Sequence, residues 1–251
     1  ADELNELLRR TCYVRLKKED VLKELPQKGR YIVETEISGK AMKNYRTAEA
    51  DILAWLQSEG KGGTSAEHLS KITVLKRLAG EGKIDAATEW IETNHDSTGR
   101  KLIVYAHHIS VLEALAEKNG GMRVAGKDSA EARQEAVDKF QNDPDAKVIV
   151  LNMKAGGVGL TLTAASDVLF VEQGWTPAEH SQAEDRCHRI GQDADTVSAW
   201  YLLAEGTIDD DIYHLIEQKR ITVDAVTEGE DNSQDSVLKD LVKTLIARTN
   251  V

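Results

Sequence analysis

Short apolar runs that alternate with helical stretches constrain this chain more than any other feature. The runs are Lys101–Tyr105, Met122–Ala125, Lys147–Leu151, Asp167–Val171 and Thr196–Leu203. Between them lie stretches of helical spacing: a face of Val111, Leu112, Leu115 and Ala116, then Asp128–Gln141, Pro177–Ile190, and Thr207 to about Ala225 after the last run. A strand that is apolar throughout is buried on both faces, and strands separated by helices run parallel. The expected core is therefore a parallel sheet with helices on both faces. Hydrophobic residues make up 41% of the 251, enough to fill such a core and too many for a disordered or fibrous chain. No apolar run approaches the ~20 residues of a membrane span. No basic segment followed by an apolar one opens the chain, so no uncleaved secretory leader is expected. Cys12 and Cys187 stand far apart with no C-x-x-C, which excludes a disulfide scaffold or zinc ribbon and predicts a reducing compartment.

The remaining segments read differently. Residues 1–29 are mixed and charged, and read as a linker. Residues 30–96 are mostly helical and are expected to pack on the domain or to be inserted in it. Within them Tyr31–Ile37 alternates like a strand. Ser38 can cap a helix to about Gln57, in which Met42, Tyr45, Ile52, Trp55 and Leu56 share a face. Gly60–Ser65 is a loop by composition. Ala66 to about His95 is helical again, with a break near Gly80-Glu81-Gly82. Residues 97–226 form the α/β domain. Residues 227–251 are an acidic linker and a last helix, Ser236–Ala247.

Two segments carry chemistry. Lys154-Ala155-Gly156-Gly157-Val158-Gly159-Leu160 follows the buried strand that ends at Leu151. Its glycines let backbone N–H groups approach a phosphate; a tight turn between strand and helix is the other reading. The dinucleotide fingerprint is absent, since Leu162 stands where its last Gly would be. The second segment is Gln182-Ala183-Glu184-Asp185-Arg186-Cys187-His188-Arg189-Ile190-Gly191-Gln192. Thr176 and Glu179 form a capping box, with Pro177 at the first helical position. At ~100° per residue, Gln182, Arg186 and Arg189 fall on one ridge, beside an apolar stripe of Ala183, Cys187 and Ile190. Guanidinium forks suit phosphate oxygens. Surface arginines paired with Glu184 or Asp185 are the other reading.

Taken together, these segments resemble the Snf2 group of superfamily 2 helicase-like ATPases. Lys154–Leu160 with Thr163-Ala164-Ala165 looks like motif V. Gly174-Trp175-Thr176-Pro177 resembles the W-N-P segment, with Thr176 where Asn is usual. Gln182–Gln192, ending H-R-I-G-Q, resembles motif VI, and Leu102–His108 resembles motif IV. Arg133, Val137 and Phe140 match the stretch after motif IV, and Leu8–Thr11 to Val21–Pro26 look like the family's entry into its second lobe. The likeness covers residues 7–222. Glu184-Asp185-Arg186 and Glu205–Asp210 lean toward the branch of annealing helicases and fork remodellers. Neither G-x-x-x-x-G-K-[ST] nor D-E-x-H occurs. The chain thus resembles a second RecA-like lobe alone, preceded by a family-specific helical extension.

The resemblance implies a lobe of an ATP-driven DNA translocase that is inactive without its first lobe. Arg186, Arg189 and Gln182 would be its catalytic residues, the arginines acting as fingers. Gly157, Gly159, Asp185, Arg186 and Arg189 would meet the nucleotide, and Lys154, Ala155, Gly156, Gly157 and Trp175 the DNA. ATP and Mg2+ are the implied cofactors, with magnesium held by the first lobe and no metal ligand here. The implied partners are a first lobe, on the same or a separate chain, and double-stranded or forked DNA. No membrane partner is expected, and the chain is expected to be an intracellular monomer, nuclear in a eukaryote and cytoplasmic in a bacterium or virus. A docking lobe without catalysis and an RNA-helicase lobe are the alternatives; Asp185 stands where the latter usually has Gly. The net charge of −11 predicts weak DNA binding by this lobe alone. Burial competes with function at three positions: His107-His108 as strand-end capping groups, Trp175 as a wedge, and Cys187 as an inert thiol.

Overall fold

The structure is a computed structural model and describes residues 18–58, 63–153, 159–226 and 234–248. After a short helix α1 (Lys18–Val21) come β1 (Gln27–Thr35) and three helices, α2 (Gly39–Ser58), α3 (Ser65–Gly82) and α4 (Ile84–Thr98). Strands and helices then alternate: β2 (Lys101–Ala106), α5 (Ile109–Lys118), β3 (Arg123–Val124), α6 (Ala130–Asn142), β4 (Val148–Asn152), β5 (Ala165–Phe170), α7 (Pro177–Glu184), β6 (Thr196–Ala204), α8 (Ile208–Val226) and α9 (Gln234–Arg248). The six strands form one sheet in the order β1-β6-β5-β2-β4-β3, and every pairing is parallel. This is the expected RecA-like architecture.

The period of two in each strand builds the two faces. Ile103, Tyr105, Ile149, Leu151, Val168 and Phe170 point to one face, under Val137 and Phe140 of α6 and Ala183 of α7. Leu102, Val104, Val148, Val150 and Leu169 point to the other, under Ala87 and Ile91 of α4 and Val111, Leu112 and Leu115 of α5. A third cluster joins α2, α3, α8 and α9 through Tyr45, Leu56, Leu75, Ile212 and Leu241.

The sheet extends further upstream than the sequence boundary at residue 97. β1 lies inside the segment read as linker and helical extension, yet it is one of the sheet's two edge strands, running from Gln27 beside Thr196 to Thr35 beside Ala204. The helices that follow it are anchored from below. Lys83 is fully buried and donates to the carbonyls of Val171 and Leu202 (2.8 Å to the latter), and its ammonium meets Asp209 at 2.5 Å. Lys76 donates to the Gln173 carbonyl at 2.8 Å, and its ammonium lies 4.1 Å from the Trp175 ring centre. The helical extension therefore sits over the carboxyl ends of β5 and β6, where open parallel sheets leave a crevice. Of the Asp209–Asp211 run, Asp209 is spent on this anchor and on the Ala204 N–H.

The capping box before α7 is present. Thr176 Oγ1 accepts from the Glu179 N–H at 3.1 Å, and Glu179 Oε2 accepts from the N–H groups of Trp175 (2.5 Å) and Thr176 (3.2 Å). We expect Thr176→Ala to lower unfolding stability by about 1 kcal/mol in urea, with no change in m-value.

Candidate functional site

α7 is shorter than its periodicity suggests. It ends at Glu184, and residues 185–191 continue as turns. The cause is a buried ion network. The side chain of Glu184 is withdrawn from solvent and takes a two-pronged contact from Arg30 (Nε to Oε1 and Nη2 to Oε2, both 2.7 Å), a Lys28 ammonium at 2.7 Å and the Tyr201 hydroxyl at 2.9 Å. Burial raises the carboxyl pKa, but the bonds and charges of Arg30 and Lys28 outweigh it and hold Glu184 at about 2, below its ordinary 4.5. The helix end is thus pinned to β1. Lys28 and Arg30 went unassigned from sequence; the signal is two cations at i and i+2 of a strand, on one face.

The single helical ridge of Gln182, Arg186 and Arg189 is consequently corrected. Gln182 is exposed on α7, whereas both arginines lie in the turns beyond it. The apolar stripe also breaks: Ala183 and Cys187 are buried, but Ile190 is 70% exposed. Cys187 is the expected inert core thiol, its pKa pushed up to about 12 by burial.

What joins the arginines is the tail of the glycine loop. Lys154 to Val158, and with them the sites assigned to Lys154, Ala155, Gly156 and Gly157, lie outside the described residues. The loop leaves the carboxyl end of β4 and arrives at the amino end of β5. There Arg189 Nη1 donates to Thr161 Oγ1 at 3.1 Å and toward the Leu160 carbonyl at 3.5 Å. The Leu162 N–H donates to the Arg186 carbonyl at 2.9 Å. Arg186 Nε is buried and has no hydrogen-bond partner among the described residues. Gly159 turns at φ +53° and Gly191 at φ +92°, conformations that suit glycine. Gln192 holds the second turn, donating to the carbonyls of Ala165 (2.7 Å) and Cys187 (3.1 Å). Between α6 and the loop tail lies a cleft of about 540 Å3, lined by Arg133, Gln141, Gly159, Leu160 and Thr161 among others. The Arg189 guanidinium therefore stands beside a glycine-lined turn at the amino end of β5, with the backbone of Arg186 bonded to the same turn. Such a group can bind phosphoryl oxygens and stabilise charge growing on them.

Other assigned residues stand elsewhere. Asp185 faces away from this cleft: it pairs with Lys18 at 2.8 Å and lies 3.6 Å from Lys28. Trp175 is corrected as a DNA contact. It is 2% exposed, wedged in the helical cluster under the Lys76 ammonium, and has no free face for a base. At the carboxyl end of β2, Glu172 accepts from the N–H groups of His107 and His108 (both 2.8 Å) and meets His108 Nδ1 at 2.5 Å. These histidines close a strand end and start α5. His180 is buried, receives the Gly174 N–H at Nε2 and is pushed down to about 3 by burial and Arg220, so it stays neutral.

Comparison with known proteins places this site in a family. Residues 82–191 match the helicase conserved C-terminal domain. The chain is 34% identical over 223 residues to the human DNA annealing helicase and endonuclease ZRANB3, covering 87% of this chain and 20% of that protein. It is 36% identical over 231 residues to the Caenorhabditis elegans homolog of SWI/SNF-related matrix-associated actin-dependent regulator of chromatin subfamily A-like protein 1, covering 87% and 32%. The Sulfolobus solfataricus SWI2/SNF2 ATPase core, solved in complex with dsDNA, superposes with a TM-score of 0.67 at 23% identity, over 97% of this chain and 55% of that one. Residues 82–191 belong to the helicase C-terminal domain family, and the chain's relatives are of its Snf2 branch. The chain spans a fifth to a third of the length of these curated relatives.

Proposed function

We propose that this chain is the second motor lobe of an ATP-driven translocase on duplex DNA. In this reading ATP is held by a first RecA-like lobe, which also holds the magnesium. Arg186 and Arg189 reach the γ-phosphate when the cleft between the lobes closes, and the loop 154–160 links that cleft to the DNA. The observation that carries the proposal is the grip of Arg189 on Leu160 and Thr161, with Arg186 bonded through its backbone to Leu162. A finger tied to the loop that meets DNA can pass a movement of one to the other. Two features fit. The buried Arg186 Nε, which has no hydrogen-bond partner among the described residues, suits an anionic ligand oxygen. The exposed Ile190 beside Arg189 suits a turn that another surface covers.

In chemical terms, a guanidinium placed before reaction stabilises the negative charge on the transferring phosphoryl group, and the attacking water then completes hydrolysis to ADP and phosphate. Gln182, exposed on the last turns of α7, would order the cleft. The relatives' printed names, a DNA annealing helicase and a chromatin regulator, support DNA as the track and an intracellular, in eukaryotes nuclear, setting. None of the described helices is long and apolar enough to cross a membrane. A monomer in which both lobes share one cleft is the simplest assembly.

Steady-state ATP hydrolysis tests the proposal. The 251-residue chain should be inactive with or without duplex DNA. Joined to a matching first lobe, it should hydrolyse ATP faster when duplex is added. DNA-stimulated hydrolysis by the chain alone, or equal stimulation by RNA duplex, would refute it.

A further inference from the structure

Motif VI is held from a second side. Lys18 Nζ binds Asp185 Oδ2 at 2.8 Å and the His188 carbonyl at 3.1 Å. The Pro26 carbonyl accepts at 2.9 Å from His188 Nε2, which must carry the proton because a carbonyl only accepts. Burial lowers the His188 pKa, which favours that neutral form. Lys28 meets both Glu184 and Asp185. The segment entering β1 is thus fastened at its two ends to Glu184 and Asp185, which precede the arginines, and to His188, which lies between them. Between those ends it does not pack flat. It bridges a cleft of about 630 Å3, lined by Leu22, Leu25, Pro26, Ser181, Asp185 and His188 among others.

The two fastenings differ in strength. Lys28 and Arg30 meet a Glu184 side chain that is fully withdrawn from solvent, and these contacts belong to the fold. Lys18 and Asp185 are 41% and 35% exposed. A pair so open contributes a factor of about five at most, so it can release without unfolding the lobe. On the far side, motif VI is bonded to the loop tail at Leu160 to Leu162, and through Gln192 to the Ala165 carbonyl. Residues 184–189 therefore lie between an adjustable grip and the loop.

We infer that residues 18–28 are a strap that sets where Arg186 and Arg189 stand. Lys18, Asp185 and His188 are its positioning residues. This rests on the finger reading above for its catalytic consequence, but its structural part does not. A pull on the chain ahead of β1 loosens Lys18 from Asp185 and His188, and the turn bearing the arginines relaxes toward the loop.

Amide hydrogen exchange in this chain, without nucleotide, is the first test. Lys18→Met should speed exchange at the Leu162 N–H about fivefold while the amides of Val150 and Leu169 keep their protection, and Lys18→Arg should restore Leu162. Unchanged exchange at Leu162 overturns the strap. So does faster exchange spread through β4 and β5, which would mean a mere loss of stability. In the protein joined to its first lobe, Lys18→Met should lower kcat about fivefold with KM for ATP within about twofold, and should add nothing in an Arg189→Ala background. Equal effects in both backgrounds would show action by another route and overturn the strap. A silent Arg189→Ala would instead refute the finger reading, leaving the strap to be judged by exchange at Leu162.

Discussion

Arg189→Ala, in the chain joined to a first lobe, should lower kcat for DNA-stimulated ATP hydrolysis about a thousandfold and leave KM for ATP within about threefold. The asymmetry follows from where Arg189 stands. Its guanidinium rests on a carbonyl and a hydroxyl of the same lobe, contacts of 3.5 and 3.1 Å that a phosphate oxygen would outcompete. Most ground-state binding of ATP would come from the other lobe, so the loss falls on the transition state. Lys at this position should recover little, because a point charge cannot reproduce the planar fork. Single-turnover rates separate chemistry from product release. A kcat within about twofold of the parent would end the assignment, and the arginine would then count as a tether for Thr161.

Glu184→Gln should cost about 3 kcal/mol of unfolding free energy and lower Tm by roughly 6–12 °C. Gln can keep contacts to Arg30 and Tyr201, but it takes the counter-charge from Arg30 and leaves Lys28 with Asp185 at 3.6 Å. The cost falls at the low end of the usual range because Arg30 and Lys28 are partly open to water. The same network predicts an acid limb. Folding lowers the Glu184 pKa from 4.5 to about 2, so its stabilisation is complete above about pH 4.5 and is lost as pH falls toward 2. The loss amounts to about 3 kcal/mol at 1.36 kcal/mol per unit. Urea denaturation between pH 2.5 and 6 measures it. The parent protein should show this slope and Glu184→Gln should lack it. Parallel curves would mean that the carboxylate titrates alike in both states.

The strands from 101 to 203 were legible because parallel strands buried on both faces leave uninterrupted apolar runs. β1 was visible as a strand but not as part of the sheet. It is half-exposed, carries Lys28, Arg30 and Glu34, and its partner β6 stands far down the chain. Local pattern holds no trace of a pairing between Gln27 and Thr196. The end of α7 failed for a related reason. Glu-Asp-Arg-Cys-His continues a helical period, and only the cations on β1 draw Glu184 inward and stop the helix there. Arg186 and Arg189 were legible as a pair, and their meeting with the tail of the glycine loop was implied only by resemblance. Trp175 shows the limit on single side chains. Its capping neighbours Thr176 and Glu179 could be read from spacing, but the lysine that covers it comes from α3, about a hundred residues earlier.

The pairing of the first strand with the last also sets an order in time. As the chain leaves a ribosome, β2 to β5 can associate once residue 170 has emerged, but β1 must wait for β6, the strand that ends at Ala204. Until then an unpaired edge stays open, a state prone to mispairing. Glu184 has no cations to meet before that strand docks, and the turn with Arg186 and Arg189 has nothing to hold it on one side. The site is therefore among the last parts of the lobe to take shape, and a nascent chain cut short of residue 204 would carry both arginines without a place to put them.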